Sequence, residues 1–401
     1  MRILLIHNFY QQFGGEDQVV LQELEELQKD HTVIFYSRHS NDLVNLRLLE
    51  KARAAVEAIH SQRTMSEIES LVVKHRPEVA YIHNIYPLIS PAVYHSLHAL
   101  GIPIVQVVHD FRPFCTNGWF YNSTGVCERC KRGNYLHAIR HKCYKSSYAY
   151  SALYAASMTY VRKSSAYFKV DAVICLTEFA RRKLIDAGVQ PDKIFVRPNW
   201  IDATPFEPPS GRGHYVAYIG RLSREKGIWT LVRAMERVKG PILKIAGTGP
   251  EEAAISDYIR SRGITNIQML GFLEGGARLE FLRDSMFTVM PSEWYEMFPM
   301  VLLEAWACGK AVIGSRLGAT GDLIEEEKNG LLFTPGDEQD LAQTIERLFW
   351  SPHWAQCMGA QARLIVEERY GRAASGARLM EIFRHVCGVP VPEERLVLGA
   401  V

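Results

Sequence analysis

This chain predicts an α/β architecture of two Rossmann-like, doubly wound domains facing each other across a cleft, and three observations predict it. Short apolar runs alternate with longer helical patterns through the first half. A segment rich in proline and glycine interrupts this rhythm near residue 200, and the same alternation restarts beyond it. At 401 residues the chain is too long for one ordinary core and suits two domains of about 200 residues.

The first domain, residues 1–197, has expected strands at Arg2–His7, Thr32–Tyr36, Val79–His83, Pro103–His109, Ala172–Leu176 and Lys193–Arg197, with helical patterns such as Glu16–Gln28 and Pro91–Leu100 between them. A cysteine-bearing loop, 110–145, interrupts it. Residues 198–213 (PNWIDATPFEPPSGRG) hold four prolines and two glycines and read as the linker. The second domain, 214–370, has expected strands at Tyr215–Ile219, Ile242–Ala246, Ile267–Leu270, Phe287–Met290 and Ala311–Ile313. Its expected helices lie near Ile228–Val238, Glu251–Arg262, Arg278–Arg283 and Met300–Cys308. Residues 371–387 read as a C-terminal helix returning to the first domain, and 388–401 as a frayed tail. Ligands in such sheets bind outside the carboxyl ends of the strands.

Composition is that of a globular protein, 47% apolar and 22% charged. No run reaches the roughly 18 uncharged apolar residues of a membrane span. MRILLIH reads as a first strand rather than a signal peptide, so a cytoplasmic protein is expected. A net charge of +2 gives no whole-molecule case for nucleic acid, and no nucleic-acid partner is expected.

The clearest constellation is PSEWYEMFPMVLLEAWACGKAV. Phe298, Pro299 and Met300 stand where a helix begins, and a helix start offers free N–H groups and a positive dipole end to a diphosphate. Glu296 and Glu304 are eight residues apart, which is about 12 Å along a helix and matches the reach from a sugar across two phosphates to a ribose. Two ordinary exposed glutamates flanking a buried helix would leave the same spacing. In YIGRLSREKGIWTL, Arg221 and Lys226 follow a strand end, where two cations can clamp a leaving diphosphate or simply make a solvated basic turn. In AGTGPEE, Gly249 belongs to a glycine turn that lets backbone approach a ligand closely. An oxidoreductase is disfavoured, since no G-x-G-x-x-G follows the first strand.

Taken in order, G-R-L-x-x-x-K-G, G-x-G-P, G-F-L, E-x7-E and N-G-L-L-F resemble the family 4 retaining glycosyltransferases of the GT-B fold, of the bacterial polysaccharide and glycolipid type. The resemblance implies that Arg221 and Lys226 bind the donor phosphates and that Glu296 contacts the donor sugar. It further implies that Glu304 binds the ribose, that backbone amides around Phe298–Met300 face sugar and phosphates, and that Leu273 lies near the base. In the first domain it implies that the Gly14–Gly15 loop sits beside the phosphates and acceptor and that His109 hydrogen-bonds the donor sugar. Asp110 is expected to support the loop, and His83 and Asn84 to line the acceptor side. Pro299 stands where many relatives have glycine, Trp200 replaces a frequent glycine, and Gly318–Asp322 reads G-A-T-G-D.

The expected partners are a donor of UDP or GDP type and a glycan or lipid-linked acceptor. No cofactor is expected for catalysis. Two readings of another class stay open: a nucleotide-sugar 2-epimerase of the same fold, and a non-catalytic scaffold built around a zinc module. Cys115, Cys127, Cys130 and Cys143, spaced C-x11-C-x2-C-x12-C, suit a structural zinc, or else cysteines left unligated or partly paired as disulfides. The remaining cysteines, Cys175, Cys308, Cys357 and Cys387, read as buried small hydrophobes. Residues 129–170 hold nine Lys or Arg, no Asp or Glu, and many tyrosines. Such a segment suits an anionic membrane surface, which would make the protein peripheral on the inner leaflet, or a helix packing its tyrosines inward.

Overall fold

The structure, a computed structural model, describes residues 1–389 except 12, 13, 45, 46, 165, 166, 207, 209, 210 and 212. Parts of the expected linker and nearly all of the expected tail, 390–401, therefore lie outside the described residues.

The first domain contains β1 (Arg2–Phe9), β2 (Thr32–His39), β3 (Val79–Ile82), β4 (Ile104–Val108), a small hairpin of β5 (Tyr121–Asn122) and β6 (Gly125–Val126), then β7 (Ala172–Cys175) and β8 (Ile194–Val196). The six longer strands pair in parallel in the order β2-β1-β3-β4-β7-β8. The second domain contains β9 (Tyr215–Ile219), β10 (Leu243–Ala246), β11 (Ile267–Gly271), β12 (Ser285–Met290), β13 (Val312–Ser315) and β14 (Gly330–Phe333). They form a parallel sheet in the order β11-β10-β9-β12-β13-β14, the doubly wound order. Helices cover both faces of each sheet, so the strands read as near-continuous apolar runs, and that is why most were legible. The exception is β14. Four buried residues between Asn329 and Thr334 are too few for periodicity to separate a strand from a buried loop.

Strand order reverses between β1 and β3 in one sheet and between β9 and β12 in the other. The segments leaving β1, β4, β9 and β12 open into one space shared by both domains. The Arg372–Val386 helix crosses to the first domain, where Leu379, Ile382 and Phe383 share a core with Ile3, Leu5, Tyr81 and Val105. The Phe383 ring meets Tyr81 edge-on at 5.2 Å. The linker is pinned as well: the Arg363 guanidinium donates to the carbonyls of Ala203, Phe206 and Ala307.

Two expectations need correction. Of the four scattered cysteines, Cys175 and Cys308 are buried as expected, but Cys357 is exposed on the Pro352–Arg369 helix and Cys387, capping the Arg372–Val386 helix, is half-buried. The tyrosines of the basic segment divide: Tyr135, Tyr154 and Tyr167 are buried in the first domain, whereas Tyr148 and Tyr150 stand out in water.

Candidate active site

A cleft of about 580 Å³ between the domains is lined by Gly14, Gly15, His109, Lys226, Glu296, Phe298, Pro299, Met300 and Glu304, so sequence positions up to 290 residues apart converge there. Arg221, Gly249 and Leu273 line an adjoining space of about 530 Å³ that shares Gly220, Phe272 and Arg278 with the main cleft. The helix Met300–Ala307 begins with Pro299 as its N-cap, one residue earlier than the first helical turn where proline was expected. Its opening amides and those of the Gly15–Asp30 helix both border the cleft.

The acidic and basic groups are already paired. The Lys226 ammonium lies 2.7 Å from Glu296 Oε1, which also accepts from Ser292 Oγ at 2.7 Å and Trp294 Nε1 at 2.9 Å. Burial works against a charge on Glu296, but the Lys226 ammonium and these donors outweigh it and hold the carboxyl below its usual range. Glu304 accepts from Arg278 Nη2 at 2.5 Å. There burial prevails over Arg278 and pushes the carboxyl up. Arg278 was not anticipated; one arginine on a helix otherwise read by its apolar residues carries no sequence signal. Arg221 is exposed and makes no ion pair among the described residues.

Two glycines are required by close backbone approach. Gly227 turns left-handed (φ 66°), and a Cβ there would stand 1.7 Å from the Pro291 carbonyl oxygen. A Cβ at Gly249 would meet the Leu222 oxygen at 2.3 Å. The turn after β10 therefore needs glycine to pack against the turn after β9.

His83 and Asn84, expected on the acceptor side, are buried and border a small space next to the cleft together with Glu16, His109 and Asp110. Asn84 is consumed by the loop, donating to Asn8 O at 2.8 Å and accepting from Tyr86 N at 2.9 Å. His83 Nδ1 lies 2.8 Å from His109 Nε2. Asp110 accepts from the Arg112 amide at 2.9 Å, as a loop support does, and burial pushes its carboxyl up to about 6 against the pull of Arg112.

The cysteine-bearing loop reaches the cleft from the first domain. Glu128, between Cys127 and Cys130, accepts from Tyr295 OH at 2.9 Å across the domain boundary, and from Lys183 and Lys131 at 2.5 and 2.6 Å. Trp119 meets Trp294 edge-on at 5.3 Å. The four cysteines border one small space with Asn117, His137 and His141. Burial pushes the Cys115 and Cys130 thiols up to about 12 and about 11, so they stay protonated. Among the described residues no three His, Cys, Asp or Glu side chains are placed to hold a metal ion. The thiols are neighbours without being a formed ligand set.

Two doubly wound domains closing on a cleft of this kind define the GT-B class. Comparison with known proteins agrees. The pattern of Glycosyltransferase Family 4 matches residues 13–204, and that of Glycosyl transferases group 1 matches 203–364. Its fold is that of the GT-B class, and the two matched glycosyltransferase patterns together span residues 13–364. An uncharacterized glycosyltransferase of Methanocaldococcus jannaschii is 28% identical over 195 residues, 47% of this chain and 50% of that protein. The alpha-D-kanosaminyltransferase of Streptomyces kanamyceticus is 24% identical, with 72% of each chain covered. The chain spans about half the length, or less, of the first curated relatives it matches. In fold it is similar to a sucrose-phosphate synthase from Thermosynechococcus elongatus (TM-score 0.71, 18% identity, 96% and 99% covered). It is similar also to Anabaena HepE in complex with UDP (TM-score 0.69, 18% identity, 96% and 100% covered).

The Glu128 clasp gives a stability prediction. Burial opposes its charge, but Lys131, Lys183 and Tyr295 together push its carboxyl down to about 2. A depressed carboxyl stabilises the fold fully above its unfolded pKa of about 4.3, and that share is lost as pH falls through the folded value. Glu128→Gln should cost about 1 kcal/mol at pH 7 and flatten the acid branch of stability between pH 4.3 and 2; urea titrations across that range check it, and an unchanged branch counts against the clasp.

Proposed function

We propose that this protein is a retaining glycosyltransferase. It moves a sugar from a nucleotide diphosphate sugar to a glycan or lipid-linked acceptor in surface polysaccharide synthesis. The observation that carries this reading is the convergence of Lys226, Glu296, Glu304, His109 and a helix start on one inter-domain cleft. The matched domains support it, and the HepE structures with UDP and UDP-glucose favour a UDP donor.

In this reading the diphosphate lies against Lys226, Arg221 and the amides that begin the Met300–Ala307 helix. These groups stabilise the charge that develops as the bond from the sugar's anomeric carbon to the phosphate breaks. The acceptor oxygen bonds to the anomeric carbon from the face the phosphate leaves, which retains configuration. Its proton passes to the departing phosphate oxygen, and a nucleoside diphosphate is released. Glu296 and His109 hold the sugar, and Glu304 the ribose. Lys226→Ala and Glu296→Ala should each lower turnover at least about a hundredfold, comparable to losing one aligned electrostatic donor. Steady-state assays with UDP-sugars and a melting curve for each variant decide, since near-normal rates in folded protein would remove the assignment. Donor consumed without acceptor would indicate the epimerase instead.

The second element of the proposal is membrane contact. No helix among the described residues is long and apolar enough to cross a membrane. Leu136, Tyr148 and Tyr150 protrude beside the exposed Arg129, Arg132, Arg140, Lys142 and Lys145, none with a carboxylate partner among the described residues. Such a patch attracts anionic headgroups. The protein should sediment with phosphatidylglycerol-rich vesicles and not with phosphatidylcholine alone, and Lys142→Glu with Lys145→Glu should release it.

Structural zinc in the cysteine loop is the third element. A bound metal deprotonates its thiols and draws them together, so neighbouring protonated thiols are compatible with a site completed by the ion. Elemental analysis of the purified protein should find about one zinc per chain, and none would leave the loop held by packing and Glu128 alone.

A further inference from the structure

His109 is backed by a line of buried polar side chains drawn from separate elements. Its Nε2 lies 2.8 Å from His83 Nδ1, and the two rings stack with centroids 5.1 Å apart and an interplanar angle of 17°. His83 Nε2 lies 3.5 Å from Glu23 Oε2, a long contact with no shorter hydrogen bond competing for that nitrogen. Glu23, on the Gly15–Asp30 helix, also accepts from Tyr81 OH at 2.5 Å and from Arg197 Nη1 at 2.5 Å. Arg197 follows β8, and its Nε donates to Ser375 O of the C-terminal helix at 3.1 Å. The side chains of His83, Glu23 and Arg197 are 0%, 3% and 4% exposed.

Donor and acceptor counting along this line has one solution. Burial opposes a charge on Glu23, but the Arg197 guanidinium, with His83 and Tyr81, outweighs it and keeps the group a carboxylate. A carboxylate only accepts, so the nitrogen facing it, His83 Nε2, carries a proton. Burial lowers the pKa of His83 despite Glu23, so the ring is neutral and has one N–H. His83 Nδ1 is therefore bare and accepts, and the proton in the 2.8 Å contact belongs to His109 Nε2. Burial, with His83 beside it, also keeps His109 neutral, which leaves its Nδ1 bare. That atom makes no hydrogen bond among the described residues, and His109 borders the donor cleft. The other charged or titratable groups around the pair are His7, tied to Asp17 at 2.9 Å, Glu16 at the mouth of the cleft, and Asp110, next along the chain and paired with Arg112 at 2.9 Å.

We infer that Glu23 and His83 are positioning residues that lock His109 in its Nε2–H tautomer, so that it offers the donor sugar a bare Nδ1 acceptor. The group it recognises is then a hydroxyl that donates. A carboxylate at that place, as on a hexuronic acid, would set lone pair against anion, so the donor class is a neutral hexose. This rests on the reading of the cleft as a donor site, but the tautomer can be observed without any transfer reaction.

The test is long-range 1H–15N correlation on 15N-histidine-labelled protein between pH 5.5 and 8, with the His109 signals assigned by their loss in His109→Asn. Expected are a pyridine-type Nδ1, a protonated Nε2 and no titration across the range. A protonated Nδ1, or a ring that titrates near the ordinary histidine value, would overturn the lock, whatever the enzyme's activity. In His83→Phe the freed ring, still held neutral by burial, should exchange between its two tautomers, and kcat/KM for a hexose donor should fall with the fraction that offers a bare Nδ1; a His109 spectrum unchanged in folded His83→Phe would also overturn it. With the lock observed, thermal shifts should separate UDP-hexoses, which raise the melting point, from UDP-hexuronates, which do not. Equal shifts would remove the specificity claim and leave the donor site standing.

Discussion

The pairing of Lys226 with Glu296 is the interaction around which the cleft is built. A carboxylate buried at the end of β12 needs a partner, because an unpaired charge there would cost several kcal/mol. It finds an ammonium from the turn after β9, the strand beside it. The two residues lie seventy positions apart, and the switch in strand order brings their turns together. Ser292 and Trp294 remain on the same oxygen, so Glu296 keeps two neutral donors if a diphosphate draws the ammonium away. All three contacts fall on Oε1, which leaves the second carboxylate oxygen free of them.

The same loop is held from the opposite domain. Tyr295, next to Glu296, donates to Glu128 and packs against Phe179 at 4.8 Å, while Trp294 meets Trp119. Arg182 adds a bidentate contact to Asp322 at 2.8 Å. The domain boundary is therefore crossed directly beside the candidate chemistry, so the separation of the domains and the position of Glu296 are coupled. A second crossing lies behind His109, where Arg197 joins Glu23 to the C-terminal helix. Glu128 in the first crossing and Glu23 with Arg197 in the second are largely buried, whereas the Arg182–Asp322 pair is exposed and contributes little.

Much of the fold was legible because parallel strands buried on both faces must be apolar throughout; the runs at Tyr215–Ile219 and Ala172–Cys175 could hardly be anything else. That Lys226, Glu296 and Glu304 share one cleft was legible because the order of short motifs is itself informative. Glu23 and Arg197 escaped notice, yet a signal existed for one of them. Val19, Val20, Glu23 and Leu27 fall on one face of their helix, so Glu23 occupies a core position, and a charge there requires a partner. Nothing local marks Arg197, whose partners are 116 to 178 residues away.

By itself the sequence determined two doubly wound domains, the linker between them and the residue types gathered at the strand ends, since apolar periodicity and glycine or proline punctuation are local properties. The tertiary structure alone decided which groups meet: Lys226 with Glu296, Arg278 with Glu304, Glu128 with Tyr295, and His83 with His109. Pairing depends on distance and burial, and those arise only when strands far apart in the chain lie side by side.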